Sequence, residues 1–366
     1  MVASPKLFAP TLCTADSFRW LDPRGRSWLT IVAKISLTLV ADGTASIGPA
    51  PGLFAADRLH GLGAPDEIEV PTDRVPFLRR PEVVVTGFAF APPATRVSDM
   101  LVSVALRGEG RGFEKRVRAV GEQGDAGSRR PFSSLPLTWS RSVAGPENPA
   151  GVFSPDDASI VSADDPRRAA GLGPIAPDWP TRERHAFGLV REALEEPVLR
   201  IDPELDTRFF QAAPSDQWID SLRGPLELTL RGLSPTKPLL ATRLPELKVG
   251  ARIEGPCAAQ TLELVPDRLI IDATHHRATL SFRAAVLAEG QDLETWKVAL
   301  IVQRDGVVER ADVSDGSTAR PHVLGASSSA EHGSASHQPR LLSGVRPAAR
   351  EEDVTREGAA TRAKLG

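Results

Sequence analysis

The segment DATHHR sets Asp272, His275 and His276 within one short stretch. Adjacent histidines on a turn can both reach a metal ion, and with a carboxylate they suit a metal-dependent hydrolase, provided further ligands come from elsewhere. Alternating residues on either side place the stretch at a hairpin tip, where polar side chains are ordinary. The first expectation is therefore a solvated turn, with the hydrolase as the alternative. His185 lies close to Asp178 and Glu183, carboxylates of the kind that support a general base, but no Ser or Cys sits in a nucleophile elbow. Cys13 and Cys257 are the only cysteines. They are too few and too far apart in sequence for a disulfide framework or a zinc site, and they read as reduced structural thiols. The run GEGRG, at 108 to 112, lacks the Lys-Ser/Thr of a phosphate loop and reads as a hairpin turn. No catalytic signature remains, and no cofactor is expected.

The elements that must position these residues are strands. In WLTIVAKISLTLV the odd positions Leu29, Ile31, Ala33, Ile35, Leu37 and Leu39 are apolar, and Thr30, Lys34, Ser36 and Thr38 are polar. That period of two predicts a half-buried strand. PEVVVTGFAFAP predicts another, stopped by Pro92 and Pro93. MLVSVALRG and GFEKRVRAVG predict a hairpin, with Phe113, Lys115, Val117 and Ala119 on one face. PLELTLRGL alternates strictly, TLELVPDRLIIDATHHRATLSFRAAVL reads as a meander turning at Thr274 to Arg277, and WKVALIVQR closes the series. The expectation is a mainly β fold of sandwich-like antiparallel sheets with few short helices.

Length and composition set the frame. A chain of 366 residues with 41% hydrophobic and 25% charged residues can bury its own core. Its 32 Pro and 30 Gly favour turns over long helices. A net charge of -3 offers no reason to expect nucleic acid or an anionic membrane as partner. No stretch approaches the ~20 apolar residues of a membrane span. The N-terminal residues lack a signal peptide's apolar core, so the expected location is cytoplasmic.

Between 121 and 190, Pro and Gly break every apolar run. This predicts long ordered loops with a short helical turn near Arg182, stiffened by proline and anchored by Trp139 and Trp179. From about residue 312 the chain is rich in Ser, Ala, Gly and charge, which predicts a disordered tail after a β-rich domain of residues 1 to 311.

A strand entered through a Trp, SWLTIVAKISLTL, comes first, and an element from Asp73 to Pro92 follows. Pro131, Phe132, Pro136, Leu137, Asn148, Pro149 and Gly151 come next. After them stand Gly173, Pro174, Ile175, Pro177, Trp179 and Arg182, and then Phe209, Phe210, Ala213, Pro214, Asp216 and Gln217, before the DATHHR hairpin. In this order, over roughly residues 8 to 305, the phrases resemble domain-of-unknown-function family 2169. SVAG stands where the family usually has Phe-Gly-Gly, and AFGLVREAL replaces a Gly-Thr-Tyr phrase. What the resemblance implies is a non-enzymatic cytoplasmic adaptor or chaperone. Its protein partners would be a secreted effector toxin and the tip protein of a type VI secretion spike. The expected contact residues are Trp139, Asn148, Pro149, Trp179 and Arg182, with the two tryptophans read either as surface anchors or as core. A ligand-binding β module without a protein partner is the other alternative.

Overall fold

Alternation in SWLTIVAKISLT becomes the strand Ser27–Thr38 at the middle of the larger sheet. The computed structural model describes residues 4–60, 67–108, 111–189, 191–194, 196–255 and 259–311. Strand Ser27–Thr38 pairs antiparallel with Arg277–Leu287 on one side and with Thr14–Leu21 on the other. The larger sheet has 11 strands, and Leu247–Glu254, Gln260–Asp272 and Lys297–Arg304 continue it. A six-stranded sheet is built around the hairpin Asp99–Gly108 and Arg111–Val120, extended by Leu226–Arg231 and Leu239–Leu244.

The two sheets share one core. Leu29, Ile31, Ala33, Ile35 and Leu37 from the larger sheet pack in the same cluster as Val102, Val104, Leu106, Leu228 and Leu230 from the smaller. The fold is therefore mainly β and sandwich-like. Antiparallel pairing holds wherever strands are joined by hairpins, but Lys6–Phe8, Val198–Arg200 and Glu82–Thr86 each join the larger sheet in parallel. These parallel additions come from segments distant in the chain, which hairpin signals cannot reveal.

Strand Gln260–Asp272 passes between two pairings. Residues 260–264 pair with Leu247–Glu254 and residues 268–272 with Glu82–Thr86, with a register shift between Pro266 and Arg268. Pro266 lacks the N–H a regular ladder would use, so it is tolerated at such an irregularity. PEVVVTGFAFAP is two strands rather than one, Glu82–Thr86 and Phe88–Phe90. Gly87 separates them at φ 124°, and a Cβ there would lie 2.6 Å from Thr274 Oγ1.

Within 121–190 the chain is irregular but hydrogen-bonded. The only α-helix among the described residues is Pro180–Glu183, with Pro180 in its first turn. It falls where the turn near Arg182 was expected. Trp139–Arg141, Thr207–Phe210 and Ser215–Gln217 form 3-10 turns. The GEGRG hairpin closes with Gly108 opposite Arg111, its two tip residues lying outside the described set. Cys257 and the tail from 312 onward also lie outside it. Among the described residues no helix is long and apolar enough to cross a membrane.

Candidate functional site

Lys34 overturns the half-buried reading of its strand. Thr30, Val32, Lys34 and Ser36 are all buried, so both faces of Ser27–Thr38 are covered. On the face away from the sandwich core lies a layer of paired charges. Lys34 Nζ sits 2.9 Å from Asp73 Oδ2 and also donates to the Gly52 carbonyl at 3.2 Å. Arg268 Nε meets Glu82 Oε1 at 2.6 Å, and its Nη1 donates to the Thr72 carbonyl at 2.8 Å. Arg283 pairs with Asp267 and reaches the Asp73 carbonyl. Three cations thus balance three carboxylates, which is what makes their burial tolerable. Burial pulls the Lys34 ammonium below its ordinary pKa against the attraction of Asp73. Burial likewise raises the Asp267 carboxyl, with Arg283 opposing it.

This layer holds residues 211–217 to the sheet. The second oxygen of Glu82 accepts from Gln211 Nε2 at 3.1 Å and from the Ala213 N–H at 2.9 Å. Gln217 Nε2 donates to the carbonyls of Val83 (2.6 Å) and Leu172 (2.9 Å), while its Oε1 accepts from Lys115 Nζ at 2.9 Å. Arg182 donates to the Ile175 carbonyl at 2.6 Å and, from Nε and Nη2, to the Phe209 carbonyl at 3.1 and 2.9 Å. Loops have no ladder of their own, so buried side chains satisfy their carbonyls instead.

The five residues expected to contact a partner divide accordingly. Trp139 and Trp179 are core, 5% and 3% exposed, stacked edge-to-face with centroids 5.9 Å apart. Glu67 caps the turn that carries Trp139, its carboxylate accepting from the N–H groups of Trp139 (2.7 Å) and Ser140 (2.6 Å). Asn148 is fully buried, donating from Nδ2 to the carbonyls of Trp139 (2.8 Å) and Val143 (3.1 Å). Arg182 is buried as well. The expectation of an exposed Trp and Arg surface is corrected: these side chains hold the segment together from inside, and of the five only Pro149 is exposed.

What the segment presents outward is different. Residues 142–152 close on themselves through Gly145 N–H to the Asn148 carbonyl (3.0 Å) and Ala144 N–H to the Val152 carbonyl (2.7 Å). From this braced base Phe153 projects with 96% of its surface exposed. Sequence reasoning passed over Phe153, although an aromatic between the turn formers of PAGVFSP was its one visible signal. Beside the loop opens a cavity of about 240 Å³, and Glu147 from the loop, Trp139 and Arg182 all reach its wall.

The histidines separate. His275 Nδ1 lies 2.7 Å from Asp272 Oδ2 in an exposed turn, whereas His276, at φ 51°, turns its Nε2 to Ser234 Oγ at 2.7 Å. Ser234 Oγ also accepts from the N–H groups of Thr236 and Lys237, and Ser234 is buried. That is a turn-stabilising hydroxyl rather than a nucleophile open to substrate. Among the described residues no group of three or more His, Cys, Asp or Glu side chains could hold a metal ion. His185 pairs with Asp206, 3.3 Å away. Burial, reinforced by Arg208, holds its imidazole below the ordinary value. Burial also pushes the Cys13 thiol up to about 12, which disfavours its thiolate.

No curated protein and no solved structure matches the chain. The residues that build the layer and the braced loop lie inside the stretch that does match: residues 24–283 fit the model of the family described as "Uncharacterized protein conserved in bacteria (DUF2169)", and the chain belongs to that family.

Proposed function

We propose that this protein is a non-enzymatic cytoplasmic adaptor or chaperone that binds a secreted effector and helps load it onto a type VI secretion spike. The observation that carries the binding role is Phe153, fully exposed on a loop whose base is fixed by the buried Asn148. Single exposed apolar residues are common on protein surfaces. A whole aromatic ring held in water by a braced, proline-flanked loop is a different case, because preorganisation lowers the ordering cost of docking it into a partner. The secretion context rests on the family resemblance in the ordered motifs.

The test is affinity capture from the native host with mass spectrometry of what stays bound. The expected result is a large secreted toxin or a spike-tip protein retained by the wild type and by the control Leu239→Ala, but lost with Phe153→Ala. Equal retention by Phe153→Ala would overturn the role given to the loop. Capture of neither protein class by the wild type would overturn the adaptor reading itself.

A further inference from the structure

The cavity beside the braced loop has a mainly polar lining, behind which lie the nearly buried Trp139, Ile175 and Ala213, with the half-buried Trp218 reaching the wall. Its walls carry six cations, Lys115, Arg116, Arg168, Arg182, Arg184 and Arg208, against four carboxylates, on a chain whose net charge is -3. Most of these charges are already engaged. Lys115 Nζ lies 2.8 Å from Asp216 Oδ1, Arg116 lies 4.0 Å from Glu114, and Arg208 is paired with Asp206. Arg182 is held by carbonyls at the base. Arg168 and Arg184 remain exposed, and neither forms an ion pair with a described residue. Of the wall carboxylates, Glu147 projects from the loop itself and Asp164 from the segment that leads to Arg168.

We propose that this cavity is the seat for an acidic peptide segment of the protein partner, one that sets an apolar side chain next to an aspartate or glutamate. The apolar side chain would pack against the half-buried Trp218, and the carboxylate would lie against the guanidinium groups of Arg168 and Arg184. Arginine is suited to this part, since its planar fork takes a carboxylate in bidentate fashion and is weakly hydrated. Rigid aromatic and arginine anchors are the residue types that dominate peptide and protein docking. Arg168 and Arg184 also turn away a basic segment by like-charge repulsion. This inference rests on the adaptor reading and adds the chemistry of the segment recognised.

The test uses the full chain and a fluorescein-labelled peptide of alternating Leu and Asp, followed by anisotropy. A Leu–Asn peptide and a single-stranded oligothymidylate serve as the uncharged and polyanionic probes. The expected result is saturable binding of the Leu–Asp peptide that weakens about tenfold or more in Arg168→Glu combined with Arg184→Glu, and no binding of the Leu–Asn peptide. Both positions are exposed, so the thermal melt of the variant should match the wild type. Binding that survives charge reversal, equal binding of the Leu–Asn peptide, or equally tight oligothymidylate would each overturn the proposal. Phe153→Ala separates the two readings. It should abolish capture of the host partner yet leave Leu–Asp affinity unchanged, whereas failure of the cavity proposal leaves the Phe153 result standing.

Discussion

Arg268 and Glu82 meet at 2.6 Å with 1% and 0% of their side chains exposed, and between them they tie two neighbouring strands of the larger sheet to the chain at Thr72 and Ala213. Arg268 belongs to the strand that changes pairing at Pro266, and Glu82 opens the parallel strand beside it. Through its other oxygen Glu82 takes Gln211 and the Ala213 N–H, so residues 211–213 hang from the same carboxylate. Loss of either partner would strand a charge where water does not reach.

Removing one member of this pair is therefore expected to destabilise strongly. Glu82→Leu or Arg268→Met alone should lower unfolding free energy by about 3–5 kcal/mol, the range for breaking a buried ion pair. The double variant should recover part of that, because no uncompensated charge is left, while Gln211, the Ala213 N–H and the Thr72 carbonyl still lose a partner. Urea unfolding of the four proteins of the cycle reads the effect. Single-variant losses below about 1 kcal/mol would mean that the pair is solvated in solution.

Asn148 acts by a different route, through neutral hydrogen bonds to carbonyls. Asn148→Ala leaves the Val143 carbonyl without its donor and the Trp139 carbonyl with the Ser142 N–H alone, which is expected to cost about 1–3 kcal/mol. Asn148→Asp should cost more than Ala, since it points carboxylate oxygens at two carbonyl oxygens. Limited proteolysis should then cut first within 142–157. Equal melting of Asp and Ala variants would show that the loop rearranges around the site.

How far the sequence reaches is clear at Ser27–Thr38. Its alternation correctly marks Leu29, Ile31, Ala33, Ile35 and Leu37 as core. The same alternation wrongly assigns Lys34 to solvent, because a period of two cannot tell water from a buried layer of opposite charge. The partner that settles the matter, Asp73, lies on a loop, and no local pattern links it to Lys34. The hairpin of Asp99–Gly108 with Arg111–Val120 and the turn before Arg277 were legible because their contacts are local. For the site, Trp139 and Trp179 were legible as anchors of the segment, and of the two readings open for them, surface and core, the core one holds. Phe153 and the cavity mouth come from residues brought together by loops, where spacing carries no information.

Acid stability should report on Asp206. Hydrogen bonds from Arg208 hold its carboxyl down at about 2, below the ordinary 3.8, against the effect of burial. A depressed carboxylate contributes stability that is present above its unfolded value and lost as pH falls from about 4 toward 2. His185, whose imidazole is held low, acts in the same direction nearer neutrality: the unfolded chain takes up its proton first, so stability declines as pH falls below the ordinary histidine value of 6.5. Asp206→Asn should flatten the lower limb of the stability–pH curve, and His185→Gln the upper limb, in denaturant midpoints taken from pH 8 to 2.5. Curves parallel to wild type for both variants would count against this assignment.

The packing of Trp139 gives the sharpest contrast between two neighbouring glycines. A Cβ at Gly171 would lie 2.5–2.7 Å from indole carbons of Trp139, whereas one at Gly173 would meet nothing nearer than the indole nitrogen at 3.8 Å. Neither glycine sits at positive φ, so steric room alone separates them. Trp139 has little freedom to yield, being fixed by its bond to the Gly173 carbonyl at 3.2 Å and by Trp179. Gly171→Ala should therefore destabilise by about 1–3 kcal/mol through overpacking. Gly173→Ala should be neutral or stabilise by up to about 1 kcal/mol, because alanine restricts the unfolded chain. Thermal melts with tryptophan fluorescence would show the difference in both midpoint and emission maximum. If both substitutions lowered the midpoint equally, the indole would not be seated against Gly171, and the wall it forms for the cavity would have to be redrawn.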